Sequence, residues 1–302
     1  MKLAITSNTH KYSLTLVDTD TEKIITVKAD KRGFDRKSNI ELPPHLPYGI
    51  TWSKDKIFIA NRLNLLIYDS DLNFVECIDG VLDSSTHQIT YYDGYIIGAM
   101  MRRDCIKLFN LEDHSSELFH VEKGWGSDFP LFNDGEEKYH VNSITVKDDL
   151  CYILLNNFGI PPKEKSSQIV VLNLKTREKE RTIETNAKGA HNIYLNGDTI
   201  GTISSEEYSV ILGSETISDP LWVKCKLRGM AGDDHQIAIG NFPFDSEHYQ
   251  GFGMGHITII ENNKVKKNFF LSDDISSIND IRRIDGEDFC HHNKYPFPYK
   301  DL

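Results

Sequence analysis

Three observations predict an all-β fold, and within it a six-bladed β-propeller. Short β-branched and aromatic runs alternate with Asp, Asn, Gly and Lys clusters along the whole chain, with almost no helical periodicity. The runs recur as a unit: a strand opening on a small or polar residue followed by Ile, an acidic or Gly turn, an apolar strand, a loop and a final hairpin. The two ends of the chain, lastly, each carry the part of a unit that the other lacks.

The first full unit opens at Pro47-Tyr48-Gly49-Ile50 and continues through Ile57 to Asn61, Leu65 to Asp69 and Phe74 to Ile78. Its successors open at His87-Gln88-Ile89, Asn142-Ser143-Ile144, His191-Asn192-Ile193, Arg228-Gly229-Met230 and Asn279-Asp280-Ile281. Spacings of roughly 40 to 50 residues with four short strands per unit match propeller blades. The last opening has too little chain after it for a blade, whereas Lys2 to Asn8, Leu14 to Asp18 and Lys23 to Val27 read as second, third and fourth strands without an opening. The ends therefore complete one blade together, which pairs both edges of the ring and leaves no long open strand. A β-sandwich or β-solenoid is the competing architecture. The expected layout is one domain over residues 1–302, with blade 1 shared between about 1–30 and 278–302 and blades 2 to 6 starting near 47, 86, 140, 190 and 227.

With 39% hydrophobic and 26% charged residues, the composition is that of an ordinary globular chain. A net charge of −11 argues against a nucleic-acid partner, because such binding relies on Lys and Arg neutralising phosphates. The apolar run in Met1 to Asn8 is too short for a signal-peptide core, and no stretch approaches the ~20 apolar residues of a bilayer span. The five cysteines, Cys77, Cys105, Cys151, Cys225 and Cys290, are widely spaced and suit reduced, buried thiols. A cytoplasmic protein without membrane partners is expected; oligomeric state is left open.

In a propeller the inner strand of each blade begins at the face that also receives the longest connections. Here these are Lys123 to Tyr139, Phe158 to Ser167 and Phe242 to Gly255, rich in aromatics. Trp125 and Phe244 are expected to wall the channel there, and Tyr48, Asn142 and Asn279 to contact a substrate. Tyr48, His87, Asn142, His191, Arg228 and Asn279 stand at equivalent places, two residues before the shared Ile or Met, with His140 just ahead of its strand. Repeat geometry makes them converge on the axis. Imidazoles suit divalent transition metals such as Zn, Fe or Mn, so His87, His140, His191 and, from a nearby strand, His256 are candidate ligands. Neutral His also takes protons near pH 7, making His87 and His191 candidate acid/base groups with Arg228 holding an anionic substrate group. The remaining histidines, including adjacent His291 and His292, read as ordinary.

Asn142-Ser143-Ile144 followed by Asp148-Asp149 and Tyr152, and Asn279-Asp280-Ile281 followed by Asp285-Gly286, resemble the six-bladed group containing the gluconolactonase and senescence-marker family, strictosidine-synthase-like proteins and streptogramin lyase. In the lactonase family a divalent cation is held by a Glu and by Asn and Asp side chains at the inner openings. Asn142 matches one such position, but the N-terminal Glu has no counterpart and His87 and His191 occupy other openings. That His-rich set is similar instead to the four-His iron oxygenases and the His-dependent lyase.

Two functions fit. One is a metal-assisted or His-dependent hydrolase or lyase acting on a small polar molecule, with no organic cofactor, since neither a glycine-rich phosphate loop nor a nucleophile elbow is present. The other is a non-catalytic propeller binding a peptide, glycan or partner protein on the same face.

Overall fold

Alternating apolar runs closed by turn formers build six antiparallel sheets, each of which buries both faces of its middle strands against its neighbours. The computed structural model describes residues 1–8, 11–28, 47–61, 63–83, 85–126, 137–157, 165–243 and 255–302. The inner strands, in ring order, are Ser277–Arg283, Pro47–Trp52, Thr86–Tyr92, Val141–Lys147, Ala190–Asn196 and Cys225–Gly232. Blade 1 joins Ser277–Arg283 to the N-terminal strand Lys2–Asn8, with Ile5 opposite Ile281, so the ring closes as the repeat predicts. Every blade has four strands, and blade 3 adds a short fifth, Gly124–Gly126, from the segment read as a loop.

Tight hairpins follow from local chemistry. Asp93-Gly94, Asp148-Asp149 and Asn262-Asn263 all take positive φ, as turns matched to strand twist require. The core lies between blades: Ile97, Ile106 and Leu108 of blade 3 pack on Ile144, Ile153 and Val170 of blade 4, all at most 2% exposed. Outer strands such as Lys179–Glu184 carry charge toward water. No helix among the described residues is long and apolar enough to cross a membrane.

Around the axis, the residue just before the shared Ile or Met ties one blade to another. Asp280 accepts hydrogen bonds from the Ile50 amide (3.2 Å) and the Gln88 side chain (3.0 Å), and Gln88 accepts one from the Ile144 amide (2.9 Å). The Ser143 hydroxyl accepts from the Asn192 amide (2.9 Å), and Asn192 from the Gly229 amide (3.0 Å). Blades 2 and 6 have glycine at this place because the neighbour's backbone leaves no room: a Cβ on Gly49 would lie 2.7 Å from the Ile89 nitrogen. Beneath this girdle Arg282 spans the axis, donating to the carbonyls of Ile50 (2.8 Å) and Ile89 (2.7 Å) and pairing with Asp280 at 3.0 Å. The axis is thus plugged at this level.

The chain after blade 1 seals the lower face. The Phe289 carbonyl accepts from the Leu195 amide of blade 5 (2.8 Å), and the Tyr295 carbonyl from the Trp52 indole of blade 2 (2.7 Å). His291 and His292 donate to the carbonyls of Ile281 and Leu195, both at 3.0 Å, so both histidines serve the tail's docking.

Candidate functional site

A register shift recurs where each inner strand meets its second strand, between Pro47 and Ile50, Thr86 and Ile89, Val141 and Ser143, His191 and Tyr194, and Leu227 and Met230. Blade 1 has the same irregularity, which leaves Asn279 without a partner residue in the register. Such bulges re-aim side chains. Here they bring Tyr48, His87, His140, His191 and Arg228 together: the His87 ring lies 5.8 Å from Tyr48 and 5.7 Å from His140, and Arg228 acts electrostatically on both His87 and His191.

Hydrogen-bond partners settle two tautomers. His191 Nδ1 lies 3.0 Å from the Gly189 carbonyl, which only accepts, so Nδ1 carries the proton. The Ser205 hydroxyl, 2.9 Å from the same nitrogen, passes its own proton to the Leu227 carbonyl at 3.2 Å. His191 Nε2 is left as a buried lone pair without a hydrogen bond. His87 has the opposite arrangement, because Nε2 faces the Met101 thioether at 3.0 Å, an acceptor. His140 pairs with Glu137.

Both His87 and His191 are held neutral. They sit deep among the blade ends while remaining partly accessible, and burial pushes their pKa well below the usual value, with Arg228 next in effect. Burial also lowers the Arg228 pKa, and its Nε is sealed from water with no hydrogen-bond partner among the described residues. Lys226, two residues upstream on the same strand, is pushed down to about 8 by burial and then by Arg228. Arg228 and Lys226 are thus the two cations that act on both His87 and His191. Lys226 and Ser205 were not singled out in the sequence; for Lys226 the signal was its place two residues before Arg228 on the same inner strand.

Other candidates lie elsewhere or serve the scaffold. The Asn142 and Asn279 amides donate to the carbonyls of Ala190 (2.8 Å) and Pro47 (2.7 Å), stapling each blade to the next. Trp125 belongs to the outermost strand of blade 3, donates to the Arg177 carbonyl (2.8 Å) and stacks under that guanidinium, away from the axis. His256 stacks on Phe270 in the outer half of blade 6, 5.2 Å between rings, and is not brought to the axial histidines. Phe244 lies outside the described residues. No group of three or more His, Cys, Asp or Glu placed to hold a metal occurs among the described residues.

A cavity of about 1020 Å³ lies on the lower face, between the tail and the hairpins of blades 3 and 4. Among the charges lining it, Lys175 pairs with Asp149 at 2.6 Å and Arg283 with Asp285 at 2.9 Å.

No protein-family model matches the chain, and no curated protein sequence matches it. Among solved structures it is similar to a protein of unknown function from Bacteroides caccae, at 11% identity over 93% of this chain and 97% of that one, with a TM-score of 0.61. It is also similar to a chain of the nidogen/laminin complex, at 8% identity over 93% and 97%, TM-score 0.61. A third is the Cps50 (Swd1) β-propeller domain of Myceliophteria thermophila, at 9% identity over 85% and 79%, TM-score 0.52. At such identities the likeness shows the propeller fold alone and supports no particular family.

Proposed function

We propose that the channel mouth binds a small anionic molecule and that the protein is a His-dependent hydrolase or lyase acting on it. The observation that carries this reading is the juxtaposition of Arg228, whose Nε is sealed without a partner, and His191, whose Nε2 lone pair is sealed in the same way. A guanidinium taken out of water without a counter-ion is costly, and a carboxylate or phosphate offsets that cost. The same anion raises the basicity of a neighbouring imidazole, because an opposite charge favours the protonated form. His191 is then a base fixed in the correct tautomer by Gly189 and Ser205, ready to take a proton from a water molecule or from a carbon acid. His87 supplies a second transfer group, since a thioether is a weak competitor for its proton. The metal-assisted version, with His87, His140 and His191 as ligands, fits less well: a dication there faces the Arg228 guanidinium.

Incubation with a panel of small carboxylic acids and phosphate esters, followed by NMR, tests this. One compound is expected to be consumed by the wild type and by no His191→Ala preparation. Binding through Arg228 with no compound consumed favours the second reading, a binding platform, for which the similar fold within the nidogen/laminin complex is the motive.

A further inference from the structure

On the reading that this mouth takes an anionic molecule, we propose that its ligand is a planar aromatic acid, whose ring packs against Tyr48, His87 and His140 while its anionic group meets Arg228. Tyr48 and His87 lie on the inner strands of blades 2 and 3, Pro47–Trp52 and Thr86–Tyr92, and His140 directly precedes that of blade 4, Val141–Lys147. Their rings follow one another from blade to blade, with centroids 5.8 and 5.7 Å apart. Arg228 lies on the inner strand of blade 6, Cys225–Gly232, which stands across the axis from blade 3 in a ring of six. It acts electrostatically on His87, and Tyr48 acts on it, so the guanidinium is within range of both rings.

The kind of surface these residues offer decides the class of ligand. None of the six equivalent opening positions carries an aliphatic side chain. At two of them the amides of Asn142 and Asn279 are turned to the carbonyls of Ala190 and Pro47, and the shared isoleucines such as Ile50 and Ile89 are fully buried. The openings therefore meet a ligand with π faces, chiefly those of the half-buried Tyr48 and His87. Burial keeps His87 neutral, so its face is that of an aromatic ring and not of a cation. The Met101 thioether, 3.0 Å from His87 Nε2, lies beside the same ring.

Aromatic rings gain from offset or edge-on packing on such faces, and from sulfur at their edge, beyond what the same area gives an aliphatic ring. The tilts of 40° between Tyr48 and His87 and 55° between His87 and His140 incline each ring to the next, so a flat ligand lying on one meets its neighbour at an angle. Arg228 suits both halves of such a molecule. Its guanidinium pairs with a carboxylate or phosphate, and its charge is also attracted to the face of a ring. An aliphatic acid of equal size satisfies the guanidinium and leaves the rings without their preferred partner.

NMR titration with benzoate, cyclohexanecarboxylate and acetate, and with phenyl phosphate against cyclohexyl phosphate, tests this. In at least one series the aromatic probe is expected to bind about three-fold or more tighter than its cyclohexyl counterpart, and benzoate about ten-fold tighter than acetate if the carboxylates are the series that responds. Which series shows the preference identifies the anionic group. Ring-current shifts of the Tyr48 and His87 ring protons are expected with the aromatic probe and not with the others. Tyr48→Leu and His87→Leu are each expected to reduce the preference, Tyr48→Phe to keep it, and Arg228→Met to weaken every probe. Equal affinity for aromatic and cyclohexyl probes in both series, a preference that survives both Leu variants, or aromatic binding without shifts at Tyr48 and His87 overturns the aromatic assignment and leaves the anion-binding reading in place. Failure of every probe to bind at millimolar concentration overturns both.

Discussion

Asp280 and Arg282 form an ion pair of 3.0 Å on the propeller axis, with side-chain exposures of 0% and 1%. Two residues apart on one strand, they hold blades 1, 2 and 3 through the Ile50 amide and the carbonyls of Ile50 and Ile89. Burial opposes both charges, raising the Asp280 pKa and lowering that of Arg282. Breaking such a pair from one side strands the other charge, so Arg282→Met is expected to cost about 3–5 kcal/mol. The double variant Asp280→Asn/Arg282→Met is expected to cost less than the sum of the two single ones, measured by urea denaturation. Arg228→Met, which removes a guanidinium whose Nε has no hydrogen-bond partner among the described residues, is expected to leave stability unchanged or raised.

The contrast between histidines and isoleucines at the openings gives a second expectation. Ile89 and Ile193 are 0% and 2% exposed, so truncation to Ala removes buried area and leaves a cavity costing roughly 2–5 kcal/mol. His87 and His191 remain partly accessible, and water replaces their lost hydrogen bonds at about 1 kcal/mol. Thermal melting beside anion titration should show the Ile variants destabilised and binding-competent, and the His variants near wild-type stability with altered binding. His variants that melt as low as the Ile variants, with binding untouched, would make these histidines structural.

How much of this was legible follows from what repeats. The six openings, their Ile or Met and the polar residue two places earlier recur at like spacing, so the ring, its closure and the convergence of Tyr48, His87, His191 and Arg228 were readable. Asn142 and Asn279 share that spacing but satisfy a neighbouring blade's carbonyl, and nothing in a repeat distinguishes an amide that faces a ligand from one that faces backbone. Trp125 was misplaced because Gly124–Gly126 adds a strand to blade 3 that no other blade has. The tail was opaque for the same reason: it occurs once, so no repeat marks which of its residues dock.

That tail is expected to be an essential part of the fold. Phe297, 4% exposed, meets the Trp52 ring edge-on at 5.0 Å within the core shared by blades 1 and 2. Phe297→Ala should cost about 3–5 kcal/mol. Amide hydrogen exchange in this variant is expected to accelerate first at Leu195, whose amide donates to the Phe289 carbonyl of the tail. Unchanged melting would show that the tail rests on the propeller without stabilising it.

The tail's anchor also makes stability depend on pH with an unusual sign. Asp288 accepts hydrogen bonds from the amides of Arg283 (2.8 Å), Cys290 (3.0 Å) and Gly232 (3.1 Å), joining blade 1, the tail and blade 6. Those donors favour the carboxylate, but burial outweighs them and moves its pKa from 3.8 up to about 6. The folded chain therefore holds this proton more tightly than the unfolded chain does. Between pH 4 and 6 the unfolded state loses its proton first, so this group's contribution to stability falls as pH rises and is fully unfavourable above pH 6. A shift of this size corresponds to about 3 kcal/mol. Asp288→Asn keeps one oxygen acceptor and has nothing to titrate. In urea unfolding at pH 4, 5, 6 and 7, the stability of the wild type minus that of the variant is expected to drop by about 2–3 kcal/mol across the series. A difference that stays flat, or that rises with pH, would mean that Asp288 ionises as readily in the folded chain as in the unfolded one.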